Sequence, residues 1–213
     1  MKDIDIRINS STFSDDNRFL VCGCSEAILI FVVNNNFQII KKIEEEIRWF
    51  NSYFGTIVSV AFSNNCKYLV AGLDINIVWI KDVNNDFDKI HTFEGHYNYQ
   101  VKSVANSNDN KYLVSGCTNK TISIYDVNDN FNKIRKIQDH IKSISALTFS
   151  YDSKYLVTAG SDKSMLIYDI NNNFNILYCK NNTSNSLKTD SINSICTMTS
   201  KYFKNFKWKN SKK

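Results

Sequence analysis

Between Phe149 and Phe174 the chain reads FSYDSKYLVTAGSDKSMLIYDINNNF. Two apolar runs within it, KYLVTA and SMLIYDI, are rich in β-branched and aromatic residues and are bounded by Ser, Asp, Asn or Gly, the pattern of strands joined by tight turns. The pattern recurs. FSDDNRFLVCG begins at Phe13, FSNNCKYLVAG at Phe62, NSNDNKYLVSG at Asn106 and FSYDSKYLVTA at Phe149, with starts 49, 44 and 43 residues apart. The second half repeats as FVVNNNF from Phe31, IKDVNNDF from Ile80, IYDVNDNF from Ile124 and IYDINNNF from Ile167. Each of these closes on an aromatic that leads into a last alternating strand, such as FNKIRKI from Phe131. The spacing therefore predicts four strands per unit: one before the KYLV strand, one after it, and a fourth beyond the Asn turn.

A four-stranded unit of this period fits one blade of a propeller. Between units stand EGH (Glu94 to His96) and QDH (Gln138 to His140). Here the chain resembles the WD-repeat (G-beta-like) family, whose unit carries a Gly-His pair, a strand ending near Ser-Gly, an Asp in the next turn and a Trp-Asp dipeptide. Gly95-His96 matches the first feature and Asp139-His140 keeps the His; Tyr125-Asp126 and Tyr168-Asp169 stand where the family has Trp-Asp. The first unit departs with Phe31-Val32, and the second with Lys81-Asp82 and with Ile75 in the turn.

The resemblance implies an all-β WD-repeat β-propeller with four recognisable blades plus a partial fifth, open or incomplete as a ring. Residues 1–12 form an N-terminal edge strand, and 13–180 hold four repeats (about 13–61, 62–105, 106–148 and 149–180). Residues 181–213 combine a polar linker, a partial fifth repeat from SINSICTMTSKYF and a tail rich in Lys and aromatics. Open edges invite pairing with another chain, so self-association is expected.

The resemblance also implies a buried hydrogen-bonded tetrad in each complete unit. It consists of His140, Thr158, Asp162 and Tyr168 in the fourth, and of His96, Ser115, Asn119 and Tyr125 in the third. A Ser, His and Asp set also suggests a hydrolase triad. A catalytic set should occur once, however, whereas this one recurs at the repeat period, and no G-x-S-x-G elbow is present. HTFEGH, His91 to His96, lacks the helical spacing of a zinc protease, and Cys22 with Cys24 would need two further ligands for zinc. No G-x-x-x-x-G-K phosphate loop occurs. No catalytic residue, metal or cofactor is expected, and the chain reads as a non-enzyme.

Composition adds three points. The chain has no proline, so Asn carries the turns, its short amide tolerating left-handed backbone. No apolar leader or 18-residue apolar run is present, which points to an intracellular, cytoplasmic protein with reduced cysteines. Net charge is +5, but KYFKNFKWKNSKK at the end holds six lysines and no acid, so the body is near neutral. The expected function is a scaffold that binds other proteins through propeller-face loops. By the resemblance, those loops share one face of the propeller, which would put Tyr97 and Tyr99 beside Lys120, Lys142 and Lys163. The alternative is a binder of nucleic acid or of an anionic membrane surface through the basic aromatic tail.

Overall fold

The computed structural model describes residues 7–44, 48–49, 53–94 and 99–181. The partial fifth unit and the tail lie outside them, as do Gly95, His96, Tyr97 and Asn98. The first blade holds β1 (Ile8–Phe13), β2 (Phe19–Cys24), β3 (Ile28–Val32) and β4 (Gln38–Ile43). A short hairpin of β5 (Arg48–Trp49) and β6 (Tyr53–Phe54), not expected from the repeat, precedes the second blade of β7 (Ile57–Phe62), β8 (Tyr68–Leu73), β9 (Ile77–Asp82) and β10 (Asp88–Glu94). The third has β11 (Val101–Asn106), β12 (Tyr112–Cys117), β13 (Ile122–Asp126) and β14 (Asn132–Ile137). The fourth has β15 (Ile144–Phe149), β16 (Tyr155–Gly160), β17 (Ser164–Asp169) and β18 (Asn175–Asn181).

Each blade is an antiparallel sheet with strands in sequence order, and no helix occurs among the described residues. The first strands β1, β7, β11 and β15 pack side by side in succession, while no comparable packing joins β15 back to β1. The arc of blades is open.

Local chemistry explains each turn. The S-x-D/N repeat places a serine hydroxyl under the first hairpin of every blade. Ser14, Ser63, Ser107 and Ser150 are buried, and each accepts the N–H of the aromatic that opens the next strand, at 3.0, 2.9, 2.8 and 3.0 Å. Each also donates to an acidic or amide side chain two residues on: Asp16, Asn65, Asp109 or Asp152. The turns into the last strands are tight reverse turns with two successive left-handed residues, Asn36-Phe37, Asp86-Phe87, Asn130-Phe131 and Asn173-Phe174. They are closed by N–H bonds from Gln38, Asp88, Asn132 and Asn175 to the carbonyls three residues back. Glycine normally takes the second of these positions. Phenylalanine here accepts a cost of about 1–2 kcal/mol for its left-handed backbone, which at Phe87, Phe131 and Phe174 is offset by ring burial on the scale of ~1.5–3 kcal/mol.

That burial happens between blades. Phe19 packs edge-on against Phe87, Tyr68 against Phe131 and Tyr112 against Phe174, with centroids 5.1–5.4 Å apart. The cores likewise lie between sheets: Val21, Ile28 and Ile30 with Leu69 and Trp79, Val70 and Val78 with Leu113 and Tyr125, Val114 and Ile124 with Leu156 and Tyr168. Gly23, Gly72 and Gly116 allow the close approach. A Cβ at each would lie 2.5–2.6 Å from Ile57, Val101 or Ile144 of the next blade. Along the innermost strands Ser10, Ser59 and Ser103 accept the N–H of Val60, Val104 and Leu147 in the following blade, at 3.1–3.2 Å. At the rim Lys41 bonds Asp86, His91 bonds Asn130 and Arg135 bonds Asn173.

Candidate functional site

The fourth blade brings His140, Thr158 and Asp162 together. Thr158 lies on β16, Asp162 in the turn that follows, and His140 in the loop leading into β15. The imidazole contacts the Thr158 hydroxyl through Nε2 at 2.8 Å and the Asp162 carboxylate through Nδ1 at 3.1 Å. Both side chains are sealed, with exposures of 0% and 3%. Ser164 completes the cluster: its hydroxyl sits 2.9 Å from Nδ1, and both its hydroxyl and its N–H donate to Asp162. The Ile141 N–H donates to Asp162 as well, at 2.8 Å. Burial works against the Asp162 charge, but the Ser164 donors, the Ile141 N–H and His140 outweigh it and hold the pKa at about 2. Tyr168 is buried beside the cluster, its phenol pushed well up by desolvation and by Asp139, yet its hydroxyl forms no hydrogen bond of normal geometry.

The third blade assembles less. Asn119 accepts the N–H and hydroxyl of Thr121, repeating the Asp162–Ser164 relation. Ser115 is buried, and Tyr125 is buried in a stack on Phe93 at 4.7 Å. Desolvation raises the Tyr125 phenol while the nearby Ser115 and Ser123 hydroxyls oppose the rise. His96 lies outside the described residues. In the second blade the equivalent of the tyrosine is Lys81, only 2% exposed, with Nζ 5.4 Å from the Trp79 ring.

Ser164 and the Ile141 N–H were not anticipated from the sequence. The recurring triplets Asn119-Lys120-Thr121 and Asp162-Lys163-Ser164 carried the signal for Ser164.

The described candidate binding residues lie on two kinds of segment: Tyr99 and Lys142 in loops leading into innermost strands, Lys120 and Lys163 in turns between second and third strands. In the second, third and fourth blades the loop leading into the innermost strand is tied to the turn between the second and third strands. Asp74 N–H donates to Thr56 O, Thr118 N–H to Gln100 O and Ser161 N–H to Ser143 O. Side chains add return bonds, from Thr56 N–H to Asp74 at 2.7 Å and from Gln100 N–H to Thr118 at 3.0 Å. These ties set Tyr99 beside Lys120, and Ile141 and Lys142 beside Lys163, all exposed. Tyr99 is 49% and Ile141 74% exposed, the latter also missed by the sequence reading. Cys117 is capped here by the Gln100 carbonyl at 2.8 Å, and burial pushes its thiol up to about 11. Cys22 and Cys24 are packed and buried, and no group of His, Cys, Asp and Glu able to hold a metal occurs among the described residues. Nor is any helix there long and apolar enough to cross a membrane.

The family model "WD domain, G-beta repeat" matches residues 87–126 and 131–169. Each match runs from the turn before one blade's last strand through the third strand of the next, so the sequence repeat is offset from the blade by one strand. No curated protein is detectably similar to the chain in sequence. Among solved structures, a chain of the mitotic checkpoint complex is similar with a TM-score of 0.70 and 22% identity over 82% of this chain and 50% of that one. U3-55K gives a TM-score of 0.71 at 17% identity, covering 83% of this chain and 52% of that one. The RRP9 WD40 repeats give 0.70 at 18% identity with the same coverages, 83% and 52%. The chain thus spans about half the length of these propellers. With its repeated strand pattern, its four antiparallel blades and these matches, the chain has the blade architecture of WD-repeat β-propellers, and residues 87–126 and 131–169 match their repeat.

Proposed function

We propose that this chain is a non-catalytic scaffold that binds other proteins through the loop face carrying Tyr99, Lys120, Ile141, Lys142 and Lys163, with Tyr97 as an adjoining candidate. WD-repeat propellers are commonly protein-interaction scaffolds. The observation that carries the reading is the contrast in exposure between two sets of residues on neighbouring elements. The His140–Asp162–Ser164 set has the composition of a hydrolytic triad, but all its groups are saturated by one another and shut away from solvent. It fixes the loops. Those loops in turn hold aromatic, aliphatic and cationic side chains outward, a mixture suited to an acidic partner surface with an apolar centre.

The partner class follows from that mixture: an aromatic or aliphatic anchor at the centre and acids at the rim. Changing Tyr97 and Tyr99 together to Ala should weaken partner capture by at least ~2 kcal/mol, the hot-spot scale, with the fold unchanged. The check is affinity capture of the full chain from its own cells with quantitative mass spectrometry, wild type against the double variant, at two salt concentrations. Retention of all partners at wild-type levels would make this the wrong face. Loss of capture on deleting residues 201–213, with the double variant unaffected, would instead favour the basic tail.

A further inference from the structure

Four kinds of contact join each blade to the next, and the fourth blade departs from three of them on its outgoing side. Ala146 stands where Ser10, Ser59 and Ser103 reach the next inner strand, as the shared pairing of Ser10 with Gly23, Ser59 with Gly72, Ser103 with Gly116 and Ala146 with Ala159 shows. The same pairing puts Ala159 at the position of the three close-approach glycines. At the rim Tyr178 takes the place of Lys41, His91 and Arg135, three residues into the last strand. Only the aromatic of the second strand is kept, as Tyr155.

The first blade departs on its receiving side, and in the complementary sense. A Cβ at Gly23, Gly72 or Gly116 would meet two residues of the following blade: Ile57 and Val60, Val101 and Val104, or Ile144 and Leu147. The equivalents in the first blade are Ile8 and Ser11. The first aliphatic is kept, and the second becomes a smaller side chain. One blade gains a methyl where the others have none, and the other blade gives up aliphatic bulk opposite it. Phe37 adds an independent sign. Its left-handed turn is the same as in the other blades, but its ring is 48% exposed, against 3–5% for Phe87, Phe131 and Phe174. The backbone cost is present in the first blade without the ring burial that offsets it elsewhere.

We propose that the occupant of this face is the fourth blade of a second copy of the chain, twice over, closing an eight-bladed ring about a two-fold axis. Tyr155 of each copy would pack on Phe37 of the other, and the Tyr178 phenol would serve the Asn36 turn as His91 serves Asn130. Ala159 would fill the space beside Ser11. Among the described residues β15 does not pack on β1, and the four blades superpose with TM-scores of 0.70–0.71 on about half of longer propellers. Two equal arcs joined head to tail close without leaving an edge, within the usual limit of about eight blades. This interface lies at the blade faces, so its fate is separable from that of the loop face above.

The test is the mass of the full-length chain by size exclusion with light scattering across a dilution series. Twice 24.6 kDa is expected. Phe37→Gly should keep the fold, since it relieves a strained turn, and should weaken the dimer at least ~10-fold by removing the ring that becomes buried. Ser11→Leu should weaken it about tenfold by overfilling the pocket opposite Ala159, and Ser11→Leu with Ala159→Gly should restore it. A monomer at every concentration, including one closed by residues 182–213, overturns the proposal. So do open-ended polymers, or a dimer indifferent to Phe37→Gly, or a Ser11→Leu defect that Ala159→Gly fails to rescue.

Discussion

Replacing His140 by Ala tests whether the polar cluster holds the fourth blade. The imidazole is fully sealed and touches Thr158, Asp162 and Ser164 at once. Breaking a buried ion pair outright costs roughly 3–5 kcal/mol because a charge is orphaned. Asp162 is not orphaned here, since the Ile141 N–H and both Ser164 donors remain. What is lost is the partner of the Thr158 hydroxyl, at ~1–3 kcal/mol, together with a cavity of imidazole size. The net expectation is about 2–4 kcal/mol, or roughly 5–10 °C in the melting midpoint for a chain of this size.

Urea denaturation followed by tryptophan fluorescence measures it, with His91→Ala as the internal reference. His91 makes one hydrogen bond, at a partly exposed rim position, to Asn130 at 3.1 Å and stacks on Phe93, so its loss should cost under ~1 kcal/mol. Thr158→Val closes a double-mutant cycle in which the coupling with His140→Ala should exceed ~0.5 kcal/mol. Equal midpoints for wild type and His140→Ala, or strict additivity in the cycle, would refute the cluster as a staple.

Acid should act on the same cluster. The Asp162 pKa is depressed from 3.8 to about 2. Its contribution is therefore complete above about pH 4 and is lost as pH falls towards 2, and Asp162→Asn should flatten that part of the stability profile. The two strained phenylalanines should respond in opposite ways to glycine: Phe87→Gly should destabilise by ~2 kcal/mol or more through lost ring burial, whereas Phe37→Gly should leave the unfolding midpoint of the chain level or raised. Gly116→Val should cost about 1–3 kcal/mol in denaturation, because its Cβ alone would lie 2.6 Å from Ile144 and 2.8 Å from Leu147.

The strands were legible because the apolar pattern repeats four times in register, with Tyr68, Tyr112 and Tyr155 each opening the second strand of a blade. The three cluster residues His140, Thr158 and Asp162 came from the family resemblance and not from periodicity. Ser164 looked like turn punctuation, since a small polar residue beside Asp and Lys reads the same whether it faces water or a buried carboxylate. Lys81 was unreadable for a related reason. A lysine in a strand suggests a solvent face, but its stem can fill an aromatic's place while the ammonium lies over Trp79. The Asn-Phe turns defeat local rules differently. A left-handed phenylalanine is disfavoured by its own backbone and becomes acceptable only once a ring from the preceding blade covers it, a contact about 60 residues away for Tyr68 and Phe131.

Two kinds of contact therefore divide the work of holding the arc together. Those within a blade vary, from the saturated cluster around His140 to the stacked Tyr125 and the buried Lys81. Those between blades hardly vary, since serine, glycine and aromatic recur at all three junctions. In a repeat architecture stability is close to a sum of unit terms and nearest-neighbour terms. An inner blade has two neighbour terms and a terminal blade one. Among the described residues the fourth blade carries the most extensive internal polar network, that of His140, Thr158, Asp162 and Ser164. The first blade has no comparable cluster among the described residues and also bears the strain at Phe37. Its stability therefore leans on the junction with the second blade, where β1 and β2 pack on β7.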